Sequence, residues 1–134
     1  MKRFLSMICT LVFFFTAIPL CNVEAAEIAP RADSEFASIT ISLKSSKQVS
    51  FRAIANDIKK QIKVTACWLE RKNADGTWSN VGTLTPPGVI AENAFTYSAT
   101  VDYSSNIGSG TYRVGATFDA DGHSVSRYSN ERTF

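Results

Sequence analysis

The chain has 134 residues, 45% of them hydrophobic, and its 14 basic and 12 acidic side chains give a net charge of +2. A single domain of about this size buries roughly 65% of the surface that its unfolded chain exposes, which is enough core to fold without disulfides or metals. A net charge so close to zero argues against nucleic acid as a partner, because phosphate recognition requires a basic stripe.

The first 25 residues contain the three parts of a secretory signal peptide. A Lys-Arg pair forms a positive start, and residues 4–20 form an uncharged segment rich in Phe, Leu and Ile. The small residues that signal peptidase accepts follow this segment. Cleavage after Ala25 fits them best, with cleavage after Ala26 as the alternative. We therefore predict a signal peptide over 1–25 and a secreted, extracellular product.

Two other fates of this segment fit the sequence less well. A membrane-spanning helix requires about 20 consecutive apolar residues, whereas this apolar run is shorter and ends at Pro19. Lipid attachment at Cys21 requires a small residue before the cysteine, and Leu20 stands there. We expect no membrane span after cleavage.

Alternation of apolar and polar residues dominates the segment 37–134, which is the predicted domain. Residues 26–36 lack such a period and are predicted to form a flexible leader. The alternation is typical of strands with one face in the core, and it is most regular in the segments 39–43, 95–103 and 112–118. Residues 49–55 also alternate and favour a strand, although the apolar residues between 51 and 62 fit helical spacing as well. Residues 62–71 carry apolar side chains on both faces, which favours a central strand that is buried on both sides.

Turn motifs separate these segments. Asn-Ala-Asp-Gly at 73–76 and Asp-Ala-Asp-Gly at 119–122 favour tight hairpins, because Asp and Gly tolerate positive φ. Pro86 and Pro87 cannot continue a strand ladder and predict a crossing loop. Residues 56–61 predict a polar loop or a single helical turn. About seven short strands at this spacing predict an all-β fold, an antiparallel, immunoglobulin-like β-sandwich.

Three side chains are predicted to have structural roles. Tyr112 begins a strand after a turn, where immunoglobulin-like sandwiches place a corner tyrosine, and we expect its hydroxyl to bond a nearby backbone group. Trp68 lies mid-strand, where such domains bury a tryptophan. Cys67, the only cysteine outside the predicted signal peptide, is expected to be a buried free thiol.

Arg113 is expected to face water, so that Arg113→Ala costs no more than about 0.5 kcal/mol.

Three short strings stand in the second half of the chain, TVDY at 100–103, GTYRV at 110–114 and ADGHS at 120–124. With these strings and its signal peptide, the chain resembles small secreted proteins of Gram-positive (Bacillota), often clostridial, bacteria that are grouped as a domain of unknown function. The resemblance covers most of the chain, and it implies a secreted source and a β-sandwich. It implies no activity and no catalytic residues.

Catalytic and metal chemistry find little support in the sequence. His123, the only histidine, stands in a predicted hairpin turn, and no Gly-x-Ser-x-Gly motif presents a serine nucleophile. Zinc takes three or four His, Cys or carboxylate ligands, and the predicted domain supplies a single histidine and a single cysteine. Asp119 and Asp121 do not begin a calcium loop, since Ser124 stands where such a loop requires glycine. We therefore expect that the chain is not an enzyme and that it binds no cofactor and no metal.

Binding is the function that remains. Trp78 and Tyr128, with Tyr103 and the Pro86-Pro87 loop, are the candidates for an aromatic surface that contacts an extracellular protein or glycan. We expect a secreted, non-enzymatic binding domain that acts as a monomer. The alternative is a secreted antagonistic factor, such as a bacteriocin-like toxin or an inhibitor, and a hydrolase with an unrecognised site comes third.

Overall fold

The computed structural model describes residues 33–134. They form seven strands of one antiparallel sheet, and no helix occurs in this part of the chain. The strands are β1 (Phe36–Leu43), β2 (Gln48–Lys72), β3 (Trp78–Leu84), β4 (Ile90–Asp102), β5 (Thr111–Ala120), β6 (His123–Tyr128) and β7 (Arg132–Thr133). The prediction of an all-β, antiparallel fold of about seven strands is confirmed. The predicted signal peptide and most of the predicted leader lie outside the described residues.

The sheet is organised around β2, which is 25 residues long. β1 and β4 flank its first half, and β5 and β3 flank its second half. Ile62 and Lys63 pair with both β4 and β5, so these two strands lie on opposite sides of β2. The sheet curls into a half-barrel in which β1 comes close to β5 and β6. Residues 33–134 therefore form a strongly curled sheet whose two halves share one strand, β2.

The prediction of a loop or helical turn over 56–61 is wrong, because β2 continues through these residues. The pairing of β2 with β4 shifts its register here, and such bulges bend a strand. The N–H of Asn56 donates to the Glu35 carbonyl at 2.9 Å, and the Asp121 carboxylate accepts from the N–H groups of residues 60 and 61. The polar residues 56–61 thus form a bulge in β2, and residues from other parts of the chain bond its backbone groups.

The core lies inside the curl and follows the alternation seen in the sequence. The fully buried aliphatic and aromatic side chains come from β1, β2, β4 and β5; the largest are Tyr97, Phe36, Phe51, Phe118, Leu43, Ile62, Val49 and Val114. The ring of Phe118 contacts three others at centroid distances of 6.1 to 6.5 Å, two of them edge-on. Each such buried side chain stabilises the fold by about 1.5–3 kcal/mol.

The folded region includes the last part of the predicted leader. β1 begins at Phe36, and Asp33 Oδ1 lies 2.7 Å from Nε2 of His123 on β6. Lys59 Nζ, which is largely buried, forms ion pairs with Asp57 and with Glu35. Hydrogen bonds from Lys59 to Asp57 and Glu35 raise the pKa of this lysine. The described residues of the predicted leader are thus held by contacts with β2 and β6.

A second bulge decides which side of β2 each residue of its second half faces. The register with β5 shifts between Val64 and Ala66, so that Val64, Cys67 and Leu69 all face the core. Trp68 consequently points outward, where it is half-buried. The prediction that this strand is buried on both sides, with Trp68 in the core, is wrong, because a one-residue bulge exchanges the faces of the residues that follow it.

Candidate binding surface

The outer face of the second half of the sheet carries five large side chains from four strands. We call them the aromatic–arginine row: Trp68 and Glu70 on β2, Trp78 on β3, Arg113 on β5 and Tyr128 on β6. The cross-strand register brings them together, since Glu70 pairs with Arg113 and Gly115 pairs with both Trp68 and Tyr128. Both tryptophans of the chain belong to this row.

The row is built on an ion pair between Glu70 and Arg113. Arg113 donates from Nε at 3.1 Å and from Nη2 at 2.8 Å to Oε1 of Glu70, while Trp68 Nε1 donates to Oε2 at 2.8 Å. The glutamate is only 8% exposed. Burial raises the pKa of Glu70, but the hydrogen bonds from Arg113 and Trp68 outweigh it and the pKa lies below its usual value. The carboxylate therefore stays ionised and fixes the arginine.

The guanidinium of Arg113 also lies against two aromatic rings. Its central carbon is 3.9 Å from the ring centroid of Tyr128 and 4.4 Å from that of Trp78. Each cation–π contact is worth about 0.5–1 kcal/mol at an exposed site. Arg113 faces outward as predicted, but its contacts change the expected effect of alanine: because the loss of Arg113 leaves the buried Glu70 carboxylate short of a partner, we expect Arg113→Ala to cost about 1–3 kcal/mol.

Gly115 allows Trp68 to lie against the sheet. A Cβ at this position would overlap the indole of Trp68, which covers the glycine backbone. The indole meets the ring of Tyr128 edge-on, with centroids 5.9 Å apart. The absence of a side chain at Gly115 therefore sets the distance between β5 and the tryptophan, and with it the position of Tyr128.

The structure brings together the two residues predicted for a binding surface, Trp78 and Tyr128, one on each side of Arg113. Tyr103 does not join them, because it is buried in the core and its hydroxyl donates to the Thr85 carbonyl at 2.6 Å. Sequence reasoning missed Glu70 and Arg113. Glu70 and Arg113 are opposite charges at outward positions of two strands. That they form a pair can be predicted only when the register between these strands is known.

Cys67 and Tyr112 lie on the inner face, away from the row. Cys67 is unpaired and 1% exposed, and burial raises the pKa of its thiol to about 11. Tyr112 is buried, and its hydroxyl donates to the Ser109 carbonyl at 3.2 Å, which ties the β4–β5 loop to the strand. Gly110 supports this geometry with a φ of +130°, a conformation that other residues rarely adopt.

His123 bonds a carboxylate but not a nucleophile. Its Nε2 lies 2.7 Å from Asp33, and no serine among residues 33–134 hydrogen-bonds the ring. Within the same residues, no group of three or more His, Cys, Asp or Glu side chains is placed to hold a metal ion. The structure thus assembles no catalytic triad around His123 in the part of the chain that it describes.

Residues 33–134 contain no helix long and apolar enough to cross a membrane. No protein-family model, no curated protein and no solved structure matches the chain.

Proposed function

We propose that the chain is a secreted, non-enzymatic binding domain that holds an extracellular protein partner on the aromatic–arginine row. One observation carries the proposal: on the outer face of the sheet, Arg113 is held between Trp78 and Tyr128 by a buried carboxylate. Trp, Tyr and Arg are the residues most enriched among the few that supply most of the energy of protein–protein interfaces.

The row is ordered before a partner arrives, which favours binding. Two nitrogens of Arg113 are engaged by Glu70, while Nη1 donates to no other side chain or carbonyl in residues 33–134 and can bond a carbonyl or carboxylate of a partner. Tyr128 remains 48% exposed. Immobilising a flexible side chain costs about 0.5–1.5 kcal/mol on binding, and this cost is small where the side chain is already fixed.

The proposal places the domain outside the cell. Its support is the signal-peptide pattern of residues 1–25 and the resemblance to small secreted proteins of Gram-positive bacteria. We further propose that the curled sheet is a variant of the immunoglobulin-like sandwich in which both layers share β2. Two features support this: β1 lies close to β5 and β6, and the Tyr112 hydroxyl bonds the loop before its own strand.

Tryptophan fluorescence tests the proposal directly, because both tryptophans lie in the row. The mature domain is titrated with fractionated protein from spent culture of the source organism and, separately, with purified cell-wall glycan. We expect a protein fraction to change the emission in a saturable way. Tyr128→Ala is expected to weaken this binding at least tenfold, which corresponds to about 1.4 kcal/mol.

Val89→Ala provides the matched control, since Val89 is similarly exposed at 47% and lies outside the row. This variant is expected to bind as the wild type does. A response to glycan alone would replace the protein partner with a polysaccharide. Equal affinity of the wild type and Tyr128→Ala would show that the row is not the binding surface.

A further inference from the structure

The two edge strands β1 and β4, which flank the first half of β2, differ in how their outer backbone groups are bonded. On the β1 side, the N–H of Leu43 donates to Asn130 Oδ1 at 2.9 Å, and its carbonyl accepts from Asn130 Nδ2 and Arg132 Nε at 3.1 and 3.0 Å. On the other side, β4 pairs with β2 and with no other strand among residues 33–134. Within the described residues, the outer edge of β4 therefore has no strand paired with it.

The direction of the backbone groups of β4 follows from one hydrogen bond. The N–H of Tyr103 donates to the Lys47 carbonyl at 3.1 Å, and hydrogen bonds alternate along an antiparallel pair. Tyr97, Ala99 and Val101 therefore direct their N–H and C=O groups toward β2. Thr96, Ser98 and Thr100 direct theirs to the open edge, and their side chains are exposed.

This edge lacks the features that usually prevent pairing between edge strands. Natural sheets protect their edges with lysines, prolines or bulges. Residues 95–101 contain no charge, no proline and no glycine, and residues 96–101 pair with β2 in a regular register. The nearest charged residues of β4 are Glu92 and Asp102, one beyond each end of this segment. Phe95 at its start is 54% exposed.

From this geometry we propose that a second copy of the chain pairs with β4 through a two-fold axis at Ser98, which forms a dimer with a continuous sheet. In this register, Ser98 faces Ser98 of the copy and Thr96 faces Thr100, so that all the outward backbone groups of these residues are bonded. Phe95 lies opposite Val101 and is covered by it. The inference departs from the monomer expected from the sequence.

Charge placement supports the register. With the axis at Ser98, Asp102 lies opposite Ala94 of the copy and Glu92 lies beyond the paired strand, opposite the loop. An axis at Tyr97 would instead place Glu92 opposite Asp102, and like charges directly opposite each other destabilise a sheet. The occupant that fits this edge is therefore a strand with the same uncharged sequence, read in the opposite direction.

Analytical ultracentrifugation of the mature domain over a wide concentration range tests the proposal. We expect the wild type to shift from monomer to dimer as concentration rises. Ser98→Lys and Ser98→Glu each place two like charges at the axis, so each variant alone is expected to stay monomeric. An equimolar mixture of the two should dimerise again, because opposite charges then meet.

Thr40→Lys on β1 is the control, since Thr40 is exposed on the protected side of the sheet, and this variant should dimerise as the wild type does. Tryptophan emission verifies that each variant is folded. A wild type that stays monomeric at all concentrations would overturn the proposal, as would a mixture of the Ser98→Lys and Ser98→Glu variants that fails to dimerise. Neither result would bear on ligand binding at the aromatic–arginine row, which lies on a different surface.

Discussion

The outer faces of the two halves of the sheet differ, although the same strand runs through both. Beside the first half of β2, the outer face carries Ser50, Arg52, Ile54 and the small side chains of β4. Within residues 33–134, the only side-chain hydrogen bond between β2 and β4 joins Ser50 Oγ and Thr100 Oγ1 at 3.4 Å. Beside the second half lies the aromatic–arginine row, in which a buried carboxylate holds Arg113, Arg113 lies against Trp78 and Tyr128, and Tyr128 meets Trp68 edge-on. Among the described residues, the second face therefore contains a network of side chains that hold one another in place, whereas the first face contains a single side-chain hydrogen bond.

The difference between the two outer faces indicates that folding of the sheet does not require the aromatic–arginine row. The outer face of the first half consists mainly of serine, threonine and charged side chains, so a solvent-facing sheet surface does not require aromatic groups. The inner faces of both halves are equally apolar and buried. The row therefore contributes something beyond the core, and its residue types are those of protein interfaces. Variants that affect one face and spare the other test this interpretation.

Tyr112→Ala is expected to have the largest effect, because Tyr112 supports the core on which both outer faces rest. Removing the ring opens a cavity and should lower the free energy of unfolding by about 3–5 kcal/mol. Tyr112→Phe removes only the hydroxyl bond to Ser109 and should cost about 1–3 kcal/mol. Urea unfolding measures both. If Arg113→Ala were more damaging than Tyr112→Ala, the assignment of inner and outer faces on β5 would be wrong.

Glu70→Ala should cost about 1–3 kcal/mol, because Arg113 and the Trp68 indole both lose their acceptor. Arg52→Ala on the outer face of the first half should stay within about 0.5 kcal/mol, since Arg52 is exposed. Combined with Arg113→Ala, the Glu70 variant gives a double-mutant cycle. Additive costs for Glu70 and Arg113 would contradict the ion pair.

Gly115→Ala should cost about 1–2 kcal/mol, because the added methyl forces Trp68 away from the sheet. Gly82→Ala on β3 is its control, since nothing lies within 4 Å of a Cβ there. The tryptophan emission of the Gly115 variant should shift toward that of an exposed indole, and that of the Gly82 variant should not. Unchanged emission in both variants would show that Trp68 does not rest on Gly115.

Low pH should lower the free energy of unfolding through Glu70, by less than the substitutions above. Because the pKa of Glu70 in the folded state lies below its ordinary value of 4.5, its contribution to stability is present above that value and is lost as pH falls below it. Wild type and Glu70→Gln should therefore differ most in free energy of unfolding near neutral pH and converge in acid. A difference that stays constant down to the acid range would contradict the stabilised carboxylate.

The inner faces of the strands could be read from the sequence, whereas the outer face of β2 could not. Alternation in 49–55 and 112–118 placed the core residues correctly, because one buried face imposes a period of two. The bulge after Val64 shifted this period, so that Trp68 was assigned to the core although it lies outside. The polar residues of 56–61 looked like a loop because their bonding partners, near residue 35 and at Asp121, are distant in the sequence.

The candidate site was predictable by residue type but not by arrangement. The sequence predicts a binding surface at Trp78 and Tyr128 as aromatic residues, and both lie in the row. Their common partner, Arg113, lies between them only because β3, β2, β5 and β6 are neighbours in the sheet. Strand order and register depend on long-range pairing, which one sequence read alone does not specify.

Differential capture from spent culture tests the central claim most directly. The mature wild-type domain, its Val89→Ala variant and a Trp78→Ala/Tyr128→Ala double variant are immobilised in equal amounts, and the retained proteins are quantified by mass spectrometry. We expect at least one secreted protein to be retained by the wild type and by Val89→Ala and to be lost from the double variant. Identical retention by all three domains would contradict the assignment of the aromatic–arginine row as the binding surface.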